Sequence, residues 1–177
     1  MKTLEAFLTA LSMMESDGNY QVVNSLNFLG AYQFGEAALT DLGFVNYDGD
    51  AYDNNYSGGW TGKYGVNSAK AFLANENAQD RAAAEWMKLM WSYIKLHKID
   101  GYAWSEVGGV VLTPSGMLAA THLLGPESLA RYIKSDGTAD LRDPYGTPIK
   151  NYIVKLGNYD IPFAPAAPGG LLAEAGS

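Results

Sequence analysis

The chain has 177 residues, enough to bury a real core, with 47% hydrophobic and 18% charged residues. Its net charge of −7 and isoelectric point near 4.7 argue against nucleic acid, a polyanion that needs a basic surface. There is no cysteine, which excludes disulfides and thiolate metal sites, and no stretch reads as long and apolar enough to span a membrane.

The opening residues, Met1-Lys2-Thr3-Leu4-Glu5, carry an acid where a signal peptide would carry its apolar run. The expectation is therefore a chain without a signal peptide, for which any action outside the cytoplasm needs delivery machinery or a longer native protein. Thr3 to Met14 then reads as a helix, with Thr3 as N-cap and Glu5 in the first turn. Leu4, Leu8 and Leu11 share a face, and at about 100° per residue Glu15 returns to it. Asp17-Gly18-Asn19 breaks that helix, Gly30 to Gly35 reads as a turn, and Glu36 to Leu42 as a short helix stopped by Gly43.

Residues 46–62 form a loop dense in Asp, Asn, Gly and Tyr, and contain Asp48, Asp50, Asp53 and Trp60. A helical block follows from Ser68 to His97, with a break near Asn75-Glu76-Asn77 and an apolar stripe through Trp86, Met87, Met90 and Ile94. Thr113-Pro114 and Thr147-Pro148 both read as a cap followed by a first-turn proline. The first opens a helix that ends at Gly125-Pro126, with another helix over Glu127 to Lys134, and the second opens a helix that stops at Gly157. No hairpin signal is strong. The expected class is mainly α, one domain over 1–161, with 162–177 as a Pro/Ala/Gly-rich linker or disordered tail.

The chemistry concentrates at Glu15 and the turn downstream. A carboxyl on an apolar face loses hydration, which favours its protonated form and suits it to donate a proton near neutral pH. Gln33, eighteen residues later, has an amide that can orient an N-acetyl group or a water. Gly30 would let a substrate approach the backbone closely. Tyr32 reads either as a stacking wall or as core, Phe34 as core, and Ser16 either as a partner of Glu15 or as a cap of the following turn. Asp48, Asp50 and Asp53 are candidates for a second carboxylate, with a polar turn as the plainer reading of each. Asp48-Gly49-Asp50 suggests calcium, but Tyr52 and the lack of a spaced terminal Glu spoil the EF-hand pattern, so no metal is expected. His97 and His122 both read as helix-end residues that satisfy backbone carbonyls, and neither has a nucleophile motif around it.

Glu15-Ser16, Asn24-Ser25 and Gly30-Ala31-Tyr32-Gln33 resemble the soluble lytic transglycosylase signature of the lysozyme-like superfamily. Trp60-Thr61-Gly62-Lys63, Ala119 to Gly125 and Tyr145-Gly146-Thr147 are similar to segments of bacterial and phage lysozyme-like domains, so the resemblance spans about residues 3–161. It implies a lysozyme-like fold and cleavage of the β-1,4 MurNAc–GlcNAc bond of peptidoglycan, with Glu15 as general acid. It implies sugar contacts from Ser16, Gly30, Tyr32, Gln33, His122 and Tyr145, and no cofactor. Whether the outcome is hydrolysis, as in a muramidase, or transglycosylation stays open, because glycan cleavage commonly uses two carboxylates and only one is evident. The expected partner is the glycan strand of the cell wall, met in the periplasm or outside the cell, by a monomer; an effector or phage context would add a cognate inhibitor or delivery machinery. The competing readings are a non-catalytic peptidoglycan-binding module and a structural component of a phage or secretion particle.

Overall fold

Thr3 opens the first helix as its hydroxyl requires: its Oγ1 accepts the Ala6 amide at 3.3 Å, and α1 runs over Leu4–Ser16. The computed structural model describes residues 2–169. Among these, α1 is followed by α2 (Glu36–Asp41), α3 (Ala69–Leu73), α4 (Glu76–Leu96), α5 (Pro114–Lys134) and α6 (Ile149–Lys155). One antiparallel pair, β1 (Glu106–Val107) and β2 (Val110–Val111), pairs Glu106 with Val111 and Val107 with Val110. The described chain is thus mainly α, and no described helix is long and apolar enough to cross a membrane.

Most helix boundaries follow the capping chemistry in the sequence. Asn75 breaks the long helical block and caps α4, its Oδ1 accepting the Ala78 amide at 3.0 Å. Thr113 Oγ1 accepts the Gly116 amide at 3.1 Å with Pro114 in the first turn. At Gly125 the backbone leaves the helical region (φ +81°, ψ 165°), which puts a kink before Pro126.

Two expectations change. Thr147 does not cap α6: Pro148 holds the cap position with no side-chain bond, and the Thr147 amide donates to Asp143 Oδ1 at 2.7 Å. The Asp143 amide also donates to the Thr147 carbonyl at 3.1 Å, so the carbonyl that would have accepted the first helical bond is taken and the helix begins one residue later. A hairpin is also present. Gly108 and Gly109 both take positive φ (+57° and +73°), the type I′ geometry that closes two-residue loops. Its strands have two residues each, too few for an alternating pattern to be seen.

The described residues divide into two compact units, 8–86 and 2–7 with 87–169. In the first, Phe34, Phe44 and Phe72 are fully buried and meet edge to face, Phe44–Phe72 at 5.6 Å and Phe34–Phe72 at 6.3 Å. Trp60 lies tilted on Phe72 at 5.7 Å, and Trp86 meets Phe34 edge-on at 6.2 Å. Each such side chain taken from water contributes about 1.5–3 kcal/mol before its entropy cost. In the second unit α5 packs on α6, with Met117, Leu118, Ile149 and Ile153 buried. Of the segment read as a tail, residues 170–177 lie outside those described. The rest is not free chain: the Trp104 indole N–H donates to the Pro165 carbonyl at 2.9 Å, and the Ala164 amide donates to the Ile161 carbonyl at 3.0 Å.

The approach of α5 to α6 depends on Gly116, where an added Cβ would sit 2.7 Å from the Ile153 carbonyl oxygen. Backbone cannot yield as a flexible side chain can, so Gly116→Ala is expected to cost about 1–3 kcal/mol in urea denaturation. A variant as stable as the parent would contradict this packing.

Candidate functional site

The half-buried Glu15 occupies the last turn of α1, and its neighbour Ser16 ties that helix end to the downstream turn. Ser16 Oγ donates to the Ala31 carbonyl at 2.8 Å and accepts the Asn19 amide at 3.0 Å. Ser16 therefore both caps the chain leaving the helix and reaches across to the Gly30–Gly35 segment.

That segment is a tight hairpin turn. Leu29 and Phe34 exchange both backbone bonds at 2.9 Å, and the Gln33 amide donates to the Gly30 carbonyl at 3.1 Å. Gly30 (φ +74°) and Gln33 (φ +51°) both take the left-handed conformation. For Gln33 this is a strained position, and its side chain offsets the strain locally: Nε2 donates to the Gly30 carbonyl at 2.9 Å.

Two residues of α4 hold the turn from below. Gln79 is fully buried; its Oε1 accepts the Ala31 amide, and its Nε2 donates to the Tyr20 and Phe72 carbonyls, all at 2.9 Å. A Cβ at Gly30 would lie 2.0 Å from Gln79 Oε1, so the glycine is required by the amide beneath it as well as by its φ. Asp80 Oδ1 accepts hydroxyl bonds from both Tyr20 and Tyr32 at 2.8 Å. Burial, with the Asp80 bond and charge, pushes the Tyr20 phenol up to about 12 and raises Tyr32 further. Tyr32 is 3% exposed, so its ring is core rather than an open stacking wall.

The Trp60–Lys63 segment braces the same unit. Thr61 Oγ1 donates to the Gly43 carbonyl at 2.7 Å, while Lys63 Nζ donates to the Leu42 carbonyl at 2.6 Å and to Glu85 Oε2 at 2.7 Å. Lys63 thus joins the C-terminal end of α2 to α4, and its ammonium lies 5.0 Å from the centre of the Phe44 ring.

The loop over 46–60 assembles a carboxylate group around a residue that sequence reasoning passed over. Glu36, the first residue of α2, is fully buried, and one carboxylate oxygen each from Glu36, Asp48 and Asp53 lies within 4.8 Å of the other two. Glu36 Oε2 accepts the Tyr56 amide at 2.8 Å, whereas Oε1 has no hydrogen-bond partner. Burial pushes the Glu36 carboxyl up, the Tyr56 and Asn55 amides oppose this, and the charges of Asp48 and Asp53 add to the rise.

Asn54 and Tyr56 fix the loop in place. Asn54 Oδ1 accepts the Glu36 amide at 2.8 Å, its Nδ2 donates to the Leu26 carbonyl at 2.9 Å, and the Tyr56 hydroxyl donates to the Asn27 carbonyl at 2.7 Å. Beside them a cleft of about 370 Å³ opens between residues 25–28 and Tyr52, Asp53 and Asn54. Tyr52 is 86% exposed on its rim.

Of the residues singled out in the sequence, Glu15, Ser16, Gly30, Tyr32 and Gln33 share the first unit, with Ser16 bonded directly to the turn. Asp48 and Asp53 come together around Glu36. Asp50 serves the loop, its amide donating to Asp48 Oδ1 at 3.1 Å and its Oδ1 accepting the Tyr52 amide at 3.0 Å. His122, half-buried within α5, and Tyr145, exposed before α6, belong to the second unit. Gln79 did carry a sequence signal: it shares helical spacing with Ala82, Ala83 and Trp86, all buried, so it is the polar residue of an apolar stripe. Glu36 carried none, because an acid in a first helical turn is ordinary and its burial comes from a loop that begins ten residues later.

Comparison with protein-family models, with curated proteins and with solved structures found no match for this chain.

Two outcomes follow from the latch under the turn. Gln79→Ala leaves the Ala31 amide buried without its acceptor, and is expected to lower stability by about 1–3 kcal/mol or more in urea titration; an unchanged midpoint would show that the turn does not depend on the amide. Tyr20, raised from an ordinary 10.0 to about 12, ionises first in the unfolded chain. Its contribution to stability is therefore complete below pH 10 and lost as pH rises from 10 towards 12. Melting temperature measured across that range should fall, and fall less in Tyr20→Phe; identical profiles would contradict the assignment.

Proposed function

We propose that this chain cleaves the β-1,4 glycan strands of peptidoglycan, as a lysozyme-like α domain with Glu15 as general acid. The observation that carries the reading is the 2.8 Å bond from Ser16 Oγ to the Ala31 carbonyl. It joins the end of the acid-bearing helix to the glycine-flanked turn, so the two halves of the motif are one structural unit. A short helix end beside a rigid turn is a suitable place to hold an acid against a bound sugar.

In this reading Glu15 gives its proton to the glycosidic oxygen as the C1–O bond breaks. The muramic acid C6 hydroxyl then attacks C1, and its proton returns to Glu15. The loop acids need not take part: Asp48 and Asp53 are gathered around Glu36 and accept hydrogen bonds from Asp50, Ser57 and Asn55. One glutamate acting as acid and then base suffices for a lytic transglycosylase, the outcome this reading adopts over hydrolysis by a muramidase. The substrate lies in the bacterial cell wall, so the site of action is periplasmic or extracellular.

The test is mass spectrometry of purified peptidoglycan digested with the parent protein and with Glu15→Gln. Muropeptides one water lighter than hydrolysis products are expected from the parent. The variant, with its melting temperature unchanged, should lose about 10²–10⁴-fold in rate. Products at the parent's rate from Glu15→Gln would remove Glu15 from the chemistry, and no products from either protein would leave a glycan-binding module instead.

A further inference from the structure

Glu36 has a carboxylate with an unmet requirement. The residue is fully buried, one of its two oxygens has no partner, and the nearest acidic groups are two more carboxylates. Burying an unpaired carboxylate costs several kcal/mol, and neighbouring negative charges add to that cost. Hydrogen bonding within the protein does not remove it, since the Tyr56 amide meets Oε2 and no hydrogen bond reaches Oε1. A proton held between two of the three carboxylates would serve one pair of oxygens only, whereas a cation would serve all three, and the arrangement favours a cation.

We propose that Glu36, Asp48 and Asp53 form a binding site for a calcium ion. Three oxygens within 4.8 Å of one another can all touch one ion, since two ligands on opposite sides of calcium stand about 5 Å apart at calcium–oxygen distances near 2.5 Å. The donors are all hard carboxylate oxygens with no imidazole or thiolate among them, which suits calcium over zinc or copper. The exposed Asp48 and Asp53 carboxylates already accept bonds, from the Ser57 hydroxyl and the Asp50 amide and from both nitrogens of Asn55. These hold them in position, and each oxygen keeps a lone pair for an ion. Residues 48–56 would complete an irregular coordination sphere with backbone carbonyls and water, which calcium tolerates and magnesium, with its strict octahedron, does not. The spacing is not that of an EF-hand: the buried ligand comes from the helix before the loop, not from its end.

The ion would join the start of α2 to the 46–60 loop and so secure the rim of the cleft lined by Asp53 and Asn54. This holds whether or not the glycan reading is correct.

The experiment uses the full chain, stripped with EDTA and returned to metal-free buffer. Its melting temperature is followed against calcium chloride and magnesium chloride, and terbium luminescence is excited through Tyr56 and Trp60, whose rings are 5.8 Å apart. The melting temperature is expected to rise with calcium far more than with magnesium, and calcium is expected to quench the terbium signal by competition. Glu36→Gln should abolish both responses, while its metal-free melting temperature is no lower than the parent's, because a buried charge has gone. Asp53→Asn alters only an exposed side chain and should weaken calcium binding at least tenfold, so it decides the matter even if Glu36→Gln fails to fold. No shift and no terbium signal up to about 10 mM calcium, beyond the range of weak extracellular sites, would overturn the proposal. An Asp53→Asn protein with the parent's response, or a parent that responds equally to magnesium, would do the same.

Discussion

Gln79 is a primary amide with no access to water, and a buried amide must find acceptors for its N–H groups and a donor for its oxygen. It finds the Ala31 amide, the Tyr20 carbonyl and the Phe72 carbonyl, which belong to three separate stretches of chain. The exit from α1, the turn and the end of α3 are thereby held at one point on α4. Gly30 follows from the same constraint, because no Cβ fits above the amide. The turn's geometry then fixes Ala31, whose carbonyl receives the Ser16 hydroxyl, and so the end of the helix that carries Glu15. A polar group in an apolar stripe, ordinarily a cost, is here what gives the first unit a specific arrangement in place of a merely collapsed one.

The second constraint is a deficit. Glu36 is buried and half satisfied, and the loop that buries it brings two further acids with it. Of the residues that pin this loop, Asn54 adopts a positive φ (+53°) that asparagine tolerates, and Tyr56 one (+57°) that is uncommon for a side chain of its size. The glycan reading and the calcium reading concern neighbouring parts of one unit but rest on different atoms.

Local chemistry was legible in the sequence where it was self-contained. Thr3 and Thr113 each cap a helix because each needs only the amide three residues ahead, and Asn75, expected only as a break, caps in the same way. Thr147 looked the same and failed because residues 147 and 149 pair with 141–143, the Asp143 amide donating to the Thr147 carbonyl and the Ile149 amide to the Leu141 carbonyl, so the helix begins one residue later. The Gly108-Gly109 hairpin was missed because strands of two residues leave no alternation to read. Of the candidate site, the juxtaposition of Ser16 with the 30–35 turn could be picked out from motif and spacing. Tyr32 could be given either of two roles, and only the Asp80 acceptor, forty-eight residues away, decides for the core. Glu36 was out of reach, since its burial is set by residues 48–56 folding back over it, a long-range event with no local signature.

Glycan cleavage at Glu15 requires that a sugar chain meet the latched turn. The most direct measurement is an NMR titration of ¹⁵N-labelled protein with a soluble β-1,4 N-acetylglucosamine oligomer. Amide shifts are expected to concentrate at Ser16 and residues 30–35 and to saturate together with a single affinity. Saturable shifts confined to other parts of the chain, or none at all, would contradict it.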